Sequence, residues 1–231
     1  MRALVTGANR GLGFEFTRQL LARGAHVIAA CRHPGRAAKL TEQAAAHPGR
    51  LHVLPLDLAK ERSIIELARE AAALFESLDV LINNAGMLVS GERFGEVSAK
   101  SLDETFATNV TGPFLLTQAL APLLEKGAQP KVMNLSSGLG SIAGAESFGT
   151  ASYSISKAAL NMATRQLAAA LHTREVTVVA MSPGWVSTDM GGAGAPLKPD
   201  ASVRGMLQVL DRVTLRDSGK FFDHGGGTVA W

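Results

Sequence analysis

The 231 residues contain one tyrosine, Tyr153, which stands four positions before a lysine in Tyr153-Ser154-Ile155-Ser156-Lys157. On a helix this spacing puts the phenol and the ammonium on one face. A free phenol, with a pKa of about 10, is a poor acid–base group at neutral pH, but an adjacent cation favours phenolate and lowers that value. The pair is therefore suited to exchanging a proton with a substrate oxygen. Tyr-x-x-x-Lys also arises by chance, and a half-buried tyrosine beside a solvated lysine is the competing reading of the pair alone.

A second chemical feature lies at the start of the chain. Arg2-Ala3-Leu4-Val5 reads as a strand and is followed by Thr6-Gly7-Ala8-Asn9-Arg10-Gly11-Leu12-Gly13. Glycines in such a turn let the backbone come close to a ligand, and a pyrophosphate can rest on the free N–H groups of the helix that follows. The spacing is Gly-x-x-x-Gly-x-Gly, and no Lys-Ser/Thr follows the last glycine as a Walker loop requires. A dinucleotide is thus expected on Gly7, Asn9, Arg10, Gly11, Leu12 and Gly13, against the alternative of a purely structural turn.

An absent residue points to which dinucleotide. A site for an unphosphorylated ribose places Asp or Glu about 20 residues on, at the end of the second strand. After Glu15 the next acid here is Glu42, and the second strand ends in Cys31-Arg32-His33. Arg32, with Arg10 from the glycine loop, would instead meet a 2′-phosphate as bidentate guanidinium forks, which predicts NADP(H) as cofactor. Tyr153 would then exchange its proton while hydride moves to or from the nicotinamide.

These residues need a scaffold. Short apolar runs at 3–6, 26–31, 51–54, 80–83, 131–136 and 176–182, with a weak one at 219–222, alternate with helical stretches near 11–23, 36–46, 60–76, 101–123 and 151–172. Runs such as Val80-Leu81-Ile82 lack strict alternation, as strands covered on both faces do. The pattern predicts an α/β chain: one domain with a Rossmann-type, doubly wound parallel sheet and helices on both faces. Residues 191–200, with three glycines and two prolines, read as a mobile lid over the substrate.

Composition agrees with a single domain: 46% of residues are hydrophobic and 19% charged, and a chain of this length buries roughly 70% of its unfolded surface. The lone Cys31 closes no internal disulfide, and the opening apolar run is too short for a signal peptide or membrane span, so a cytoplasmic protein is expected. The net charge of +3 is unevenly placed: eight Lys/Arg face two acids in residues 1–50, while 15 face 18 in the remainder. A positive field in the first fifth of the chain suits a polyanionic ligand. No basic run is interleaved with aromatics, so a nucleic-acid partner is not expected.

Taken in order, Thr6 to Gly13, Asn83-Asn84-Ala85-Gly86, Asn109, Ser136-Ser137, Tyr153 with Lys157, and Pro183-Gly184 resemble the short-chain dehydrogenase/reductase family over essentially the whole chain, residues 1–231. The Asn-Arg-Gly-Leu-Gly turn, the Cys31-Arg32 strand end and the tail ending in Trp231 are most similar to sniffer-type carbonyl reductases and C-factor-like proteins. The resemblance implies that Ser137 orients a carbonyl, Tyr153 is the acid/base, and Lys157 binds the nicotinamide ribose and tunes the tyrosine. It implies that Asn109 holds a water linking Lys157 to solvent. It places Asp57 and Leu58 at the adenine, Asn84, Ala85 and Gly86 along the adenosine, and Pro183, Gly184, Val186 and Thr188 at the nicotinamide. For Asp57, capping of the helix after it is a rival role. The family further implies a small-molecule carbonyl substrate (a ketone, aldehyde or quinone) and a homodimer or homotetramer packed through the helices near 101–123 and 151–172.

Two other functions compete. A non-catalytic NADP(H) sensor or signalling protein would use the same fold. A serine hydrolase would use Ser147 in Ala145-Glu146-Ser147-Phe148-Gly149, followed by Asp189 and His224, although such an elbow needs a strand directly before the serine. The six histidines are scattered and Cys31 has no cysteine partner, so no metal site is expected.

Overall fold

The structure, a computed structural model, describes residues 1–231. In chain order its elements are β1 (Arg2–Thr6), α1 (Gly11–Ala22), β2 (His26–Cys31), α2 (Ala38–Ala46), β3 (Leu51–Pro55), α3 (Glu61–Leu74), β4 (Val80–Asn83), α4 (Ala99–Phe106), α5 (Gly112–Leu124), β5 (Lys131–Leu135), α6 (Ala151–Leu171), β6 (Thr177–Ser182), α7 (Pro199–Arg212) and β7 (Phe221–Asp223). The seven strands form one parallel sheet in the order β3-β2-β1-β4-β5-β6-β7. The fold is the expected Rossmann-type sheet.

Alternate residues of each strand feed two cores, which is why the strands read as unbroken apolar runs. Ala3, Val5, Val27, Ala29 and Ile82 meet Phe16, Leu20 and Leu21 of α1, Leu40 of α2 and Val203, Met206 and Leu210 of α7. On the other face Leu4, Ile28, Leu81, Val132 and Val178 meet Ile64 and Leu67 of α3, Leu116 and Leu120 of α5 and Leu167 and Leu171 of α6. Strand order reverses between β1 and β4, so the crevice beyond their carboxyl ends is where a ligand of such a sheet binds.

Three segments differ from the sequence reading. The single helix expected near 101–123 is two helices, α4 and α5, joined by a π-helical turn at Ala107–Thr111 in which Gly112 N–H bonds Ala107 C=O five residues back. Pro113 has no N–H to return the chain to the ordinary i→i−4 pattern at Asn109. Helix α7 lies outside the expected helical stretches, although Val203, Met206, Leu207 and Leu210 recur at helical spacing and Pro199 fits its first turn. The expected lid at 191–200 is tethered: Ser187 N–H donates to Leu197 C=O (2.8 Å), Leu197 N–H to Trp185 C=O (3.3 Å) and Trp185 Nε1 to Gly191 C=O (2.8 Å), while Pro199 and Asp200 already belong to α7.

No helix is long and apolar enough to cross a membrane.

Candidate active site

The glycine loop is held by its neighbour across the strand reversal. Thr6 Oγ1 accepts from the N–H groups of Asn84 and Ala85, both at 3.0 Å, and Asn84 Nδ2 donates to Thr6 C=O at 2.7 Å. Gly7 adopts φ +65°, a region that glycine enters without penalty. A Cβ on Gly13 would lie 2.2 Å from Gly7 C=O and 2.5 Å from Asn84 Nδ2. At the start of α1 the N–H groups of Gly11, Leu12 and Gly13 have no intrahelical partner, and Arg10 gives them no side-chain cap. The Asn84 amide thus supports the loop, while the loop keeps its own donors open.

Beyond β4 and β5 a buried amide chain ties sheet to helices. Asn83 Nδ2 donates to Asn134 Oδ1 (2.8 Å) and Thr117 Oγ1 (3.1 Å), and Asn134 Nδ2 donates to Thr164 Oγ1 (2.9 Å). Ser136 donates to Asn161 Oδ1 at 2.6 Å, and Asn161 Nδ2 donates to Gly140 C=O at 3.0 Å. Ser136 is therefore engaged in the core, and Ser137 is the serine left at the site.

Ser137 precedes the Gly138–Gly140 turn and accepts from Leu139 N–H at 3.2 Å. Its hydroxyl beside the Tyr153 phenol lowers the phenol's pKa, but burial outweighs this and holds the pKa above its ordinary value. The expectation that Lys157 would pull the phenol down is corrected. The Lys157 ammonium is 5.5 Å from the Tyr153 ring centroid and donates to Leu135 C=O at 2.6 Å, so its hydrogen bond goes to the backbone of β5. Burial pushes Lys157 down to about 8.

Asn109 sits in the π turn, fully buried. Its Oδ1 accepts from Met87 N–H (2.8 Å), and its Nδ2 donates to Met87 C=O (2.9 Å) and Ser156 Oγ (3.0 Å). A Cβ on Gly86 would lie 3.3 Å from Asn109 Oδ1 and 3.7 Å from Lys157 Nζ, so Gly86 leaves a methyl-sized gap between the two.

The eight basic residues of positions 1–50 separate into two groups. Arg18 pairs with Glu15, Arg23 with Asp211 and Arg10 with Asp189, while Arg2 bonds Ser77 and Arg50 bonds Leu21 C=O. Arg32, Arg36 and Lys39, all exposed after β2, have no acidic partner. Free positive charge is thus concentrated where a 2′-phosphate is expected, and Arg10 at 2.7 Å from Asp189 is not part of that concentration. Asp57 does not cap α3, whose N-cap is Lys60; it accepts from Ala59 N–H (3.2 Å) and pairs with Lys60 (3.2 Å) beside the buried Leu58. Val186 is buried, Gly184 adopts φ +78° against His224 and Leu197, and Thr188 Oγ1 accepts from Gly191 N–H (3.2 Å) next to Pro183 and the end of β6. Ser147 lies in an exposed stretch with no strand before it, so no nucleophile elbow is built there.

Residues 1–196 match the family model for short chain dehydrogenases. The chain belongs to the short-chain dehydrogenase/reductase family. Among solved structures, the NADPH-bound carbonyl reductase from chicken fatty liver is 38% identical, with a TM-score of 0.94 and coverage of 100% of this chain and 98% of that one. The carbonyl reductase Sniffer of D. melanogaster is 33% identical, with a TM-score of 0.95 and coverage of 100% and 99%. C-signal of Myxococcus xanthus is 43% identical over 154 residues, which is 67% of this chain and 93% of that protein.

In this short-chain dehydrogenase/reductase the sequence reading missed Asn161, Arg36 and Lys39. Asn161 carries no motif of its own, and its partners Ser136 and Gly140 lie 25 and 21 residues away. Arg36 and Lys39 were legible in the charge excess of the first fifth. Burial of Lys157 has a measurable consequence. Between about pH 8 and the ordinary 10.5, the unfolded chain binds a proton that the folded chain lacks, so stability rises with pH across that window. The Tm of the wild type relative to Lys157→Met is expected to climb from pH 8 to pH 10.5, and a flat difference would show that the ammonium is not depressed.

Proposed function

We propose that this protein is an NADPH-dependent carbonyl reductase that converts a ketone, aldehyde or quinone to an alcohol, with Tyr153 as general acid. The observation that carries the reading is the convergence of Ser137, Tyr153 and Lys157 at the carboxyl ends of β4 and β5, next to the open N–H groups of the glycine loop. The residues fit a dinucleotide: Gly7 and Gly13 leave a cradle that a Cβ would fill, the first turn of α1 offers uncapped donors to a pyrophosphate, and Arg32, Arg36 and Lys39 offer unpaired charge to a 2′-phosphate. When bound, the nicotinamide supplies hydride.

The chain's own residues do the rest. Ser137 holds the carbonyl oxygen beside the phenol. Tyr153, kept protonated by burial, donates its proton to that oxygen as negative charge develops on it. Lys157, fixed to Leu135 C=O, offers its remaining protons on the side of Gly86 and Asn109. The mouth is rimmed by exposed apolar side chains, among them the edge-to-face pair Phe94 and Phe148 (5.9 Å) and Trp185, which suits an apolar carbonyl. Exposed Ile155 and Met162 on α6 leave a face on which a homodimer or homotetramer would pack.

NADPH oxidation over a panel of aromatic aldehydes, ketones and quinones tests the reading. Turnover on none of them, with NADPH still bound tightly, would favour the second reading, a non-catalytic NADP(H)-binding sensor or signalling protein, which rests on the similarity to C-signal. For the cofactor, Arg32→Ala is expected to weaken NADPH by roughly tenfold to a hundredfold, the loss of charged hydrogen bonds to phosphate, and NADH by less than about threefold. Fluorescence titration with both reduced cofactors reads this, and equal losses would remove Arg32 from 2′-phosphate recognition.

A further inference from the structure

Thr150, the residue before α6, lies in the left-handed region (φ +42°) and gives its helix no side-chain cap. The N–H of Ser152, beside Tyr153 in the first turn, is taken instead by Glu92 Oε2 at 2.9 Å, from the loop after β4 and 60 residues away in sequence. The other oxygen, Oε1, is buried without a partner, and so is the hydroxyl of Ser152. Glu92 is thus drawn into the protein by the end of α6.

That end is electrically biased. The N-terminus of a helix acts as roughly half a positive charge, and it stabilises anions within the first turn. Left alone it would favour phenolate at Tyr153, while a carboxylate docked on it opposes that. The other groups near the phenol do not supply the same opposition. Lys157, on the same helix, is a cation whose hydrogen bond goes to Leu135 C=O, and Ser137 is neutral. Of the elements packed on α6, β6, the Gly138–Gly140 turn and the π turn contain no charged residue. Helix α4 carries Lys100, Asp103 and Glu104, all exposed, with Lys100 paired to Glu104, and Glu146 in the loop before α6 is exposed. The short turn His172–Arg174 packs on the opposite end of α6.

We propose that Glu92 is a positioning residue that caps the first turn of α6 and keeps Tyr153 a protonated donor. Its charge extends to higher pH the range over which the phenol can deliver a proton to a carbonyl oxygen. That delivery rests on the carbonyl-reduction reading, whereas the hold on the phenol does not. Burial of the phenol works the same way.

Because Tyr153 is the sole tyrosine, tyrosinate absorbance reports its ionisation alone. The wild type, Glu92→Gln and Glu92→Ala are titrated with Tyr153→Phe as blank, and circular dichroism on the same samples restricts the reading to folded protein. Gln keeps an acceptor for Ser152 N–H and removes the charge. The tyrosinate midpoint is expected to fall by about half a pH unit in Glu92→Gln, and the alkaline limb of kcat/KM for reduction should move down with it. Glu92→Ala is expected to lower kcat about tenfold with the KM for NADPH unchanged, and Gln should restore most of that loss. A midpoint in Glu92→Gln that is unchanged or higher overturns the proposal. If no carbonyl is turned over while the midpoint still falls, the reaction assignment fails and the role of Glu92 on the phenol stands.

Discussion

Tyr153→Phe is expected to lower carbonyl reduction by about 10²–10⁴-fold, the usual contribution of a positioned general acid, while NADPH affinity changes by less than about threefold. The phenol ring is buried and the substitution keeps its shape, so what is lost is one hydroxyl beside Ser137. Ser137 and Lys157 stay in place, since Lys157 is anchored to Leu135 C=O and Ser137 to Leu139 N–H. NADPH absorbance follows turnover and fluorescence titration follows binding. Unchanged turnover would take Tyr153 out of the reaction, and a parallel collapse of binding would mean that the phenol shapes the cofactor crevice.

The second large effect is expected at Gly13. An alanine there would place its Cβ 2.2 Å from Gly7 C=O and 2.5 Å from Asn84 Nδ2, and both atoms belong to the lacing between β1 and β4. The Gly7 carbonyl is backbone, and the Asn84 amide is pinned by its hydrogen bond to Thr6 C=O. The loop must open, which breaks the Asn84–Thr6 bond and displaces the N–H groups proposed to hold a pyrophosphate. Gly13→Ala should cost about 3 kcal/mol or more of stability by urea unfolding and weaken NADPH more than a hundredfold. Gly11→Ala is milder: its Cβ has 3.6 Å to Thr188 Cγ2, and only its φ of +53° is strained, worth about 1 kcal/mol. If Gly13→Ala binds NADPH as tightly as Gly11→Ala does, the cradle is not where the dinucleotide sits.

Much of this was legible in the chain because local pattern and global fold agree. The parallel strands are short apolar runs, and both cores draw on them alternately, so period and burial gave the same answer for β1, β2, β4 and β5. The glycine loop and the Tyr153–Lys157 spacing are short-range features that a sequence displays directly. What was not legible depends on distant partners. Nothing around Arg10 announces Asp189, 179 residues away, as its ion-pair partner. The direction of the phenol's pKa turned on burial, and the Lys157 ammonium turned to the Leu135 carbonyl; a spacing of four residues encodes neither. Helix α7 was hidden by the glycines and prolines before it, even though its own apolar positions keep helical period.

The π turn at Ala107–Thr111 has a consequence for how Asn109 reaches its place. A helix that carries one residue more than its hydrogen-bond ladder needs must advance by about 100° between its two halves. Helices α4 and α5 can therefore each satisfy their own packing face, one against α6 and the other against α3 and the sheet, without a loop between them. The surplus residue is absorbed at the one point where a polar amide has to leave the helical phase and reach Met87 and Ser156. The helix is a phase shifter, and the angle at which Asn109 enters the site is set by counting residues, with no added bend or cap.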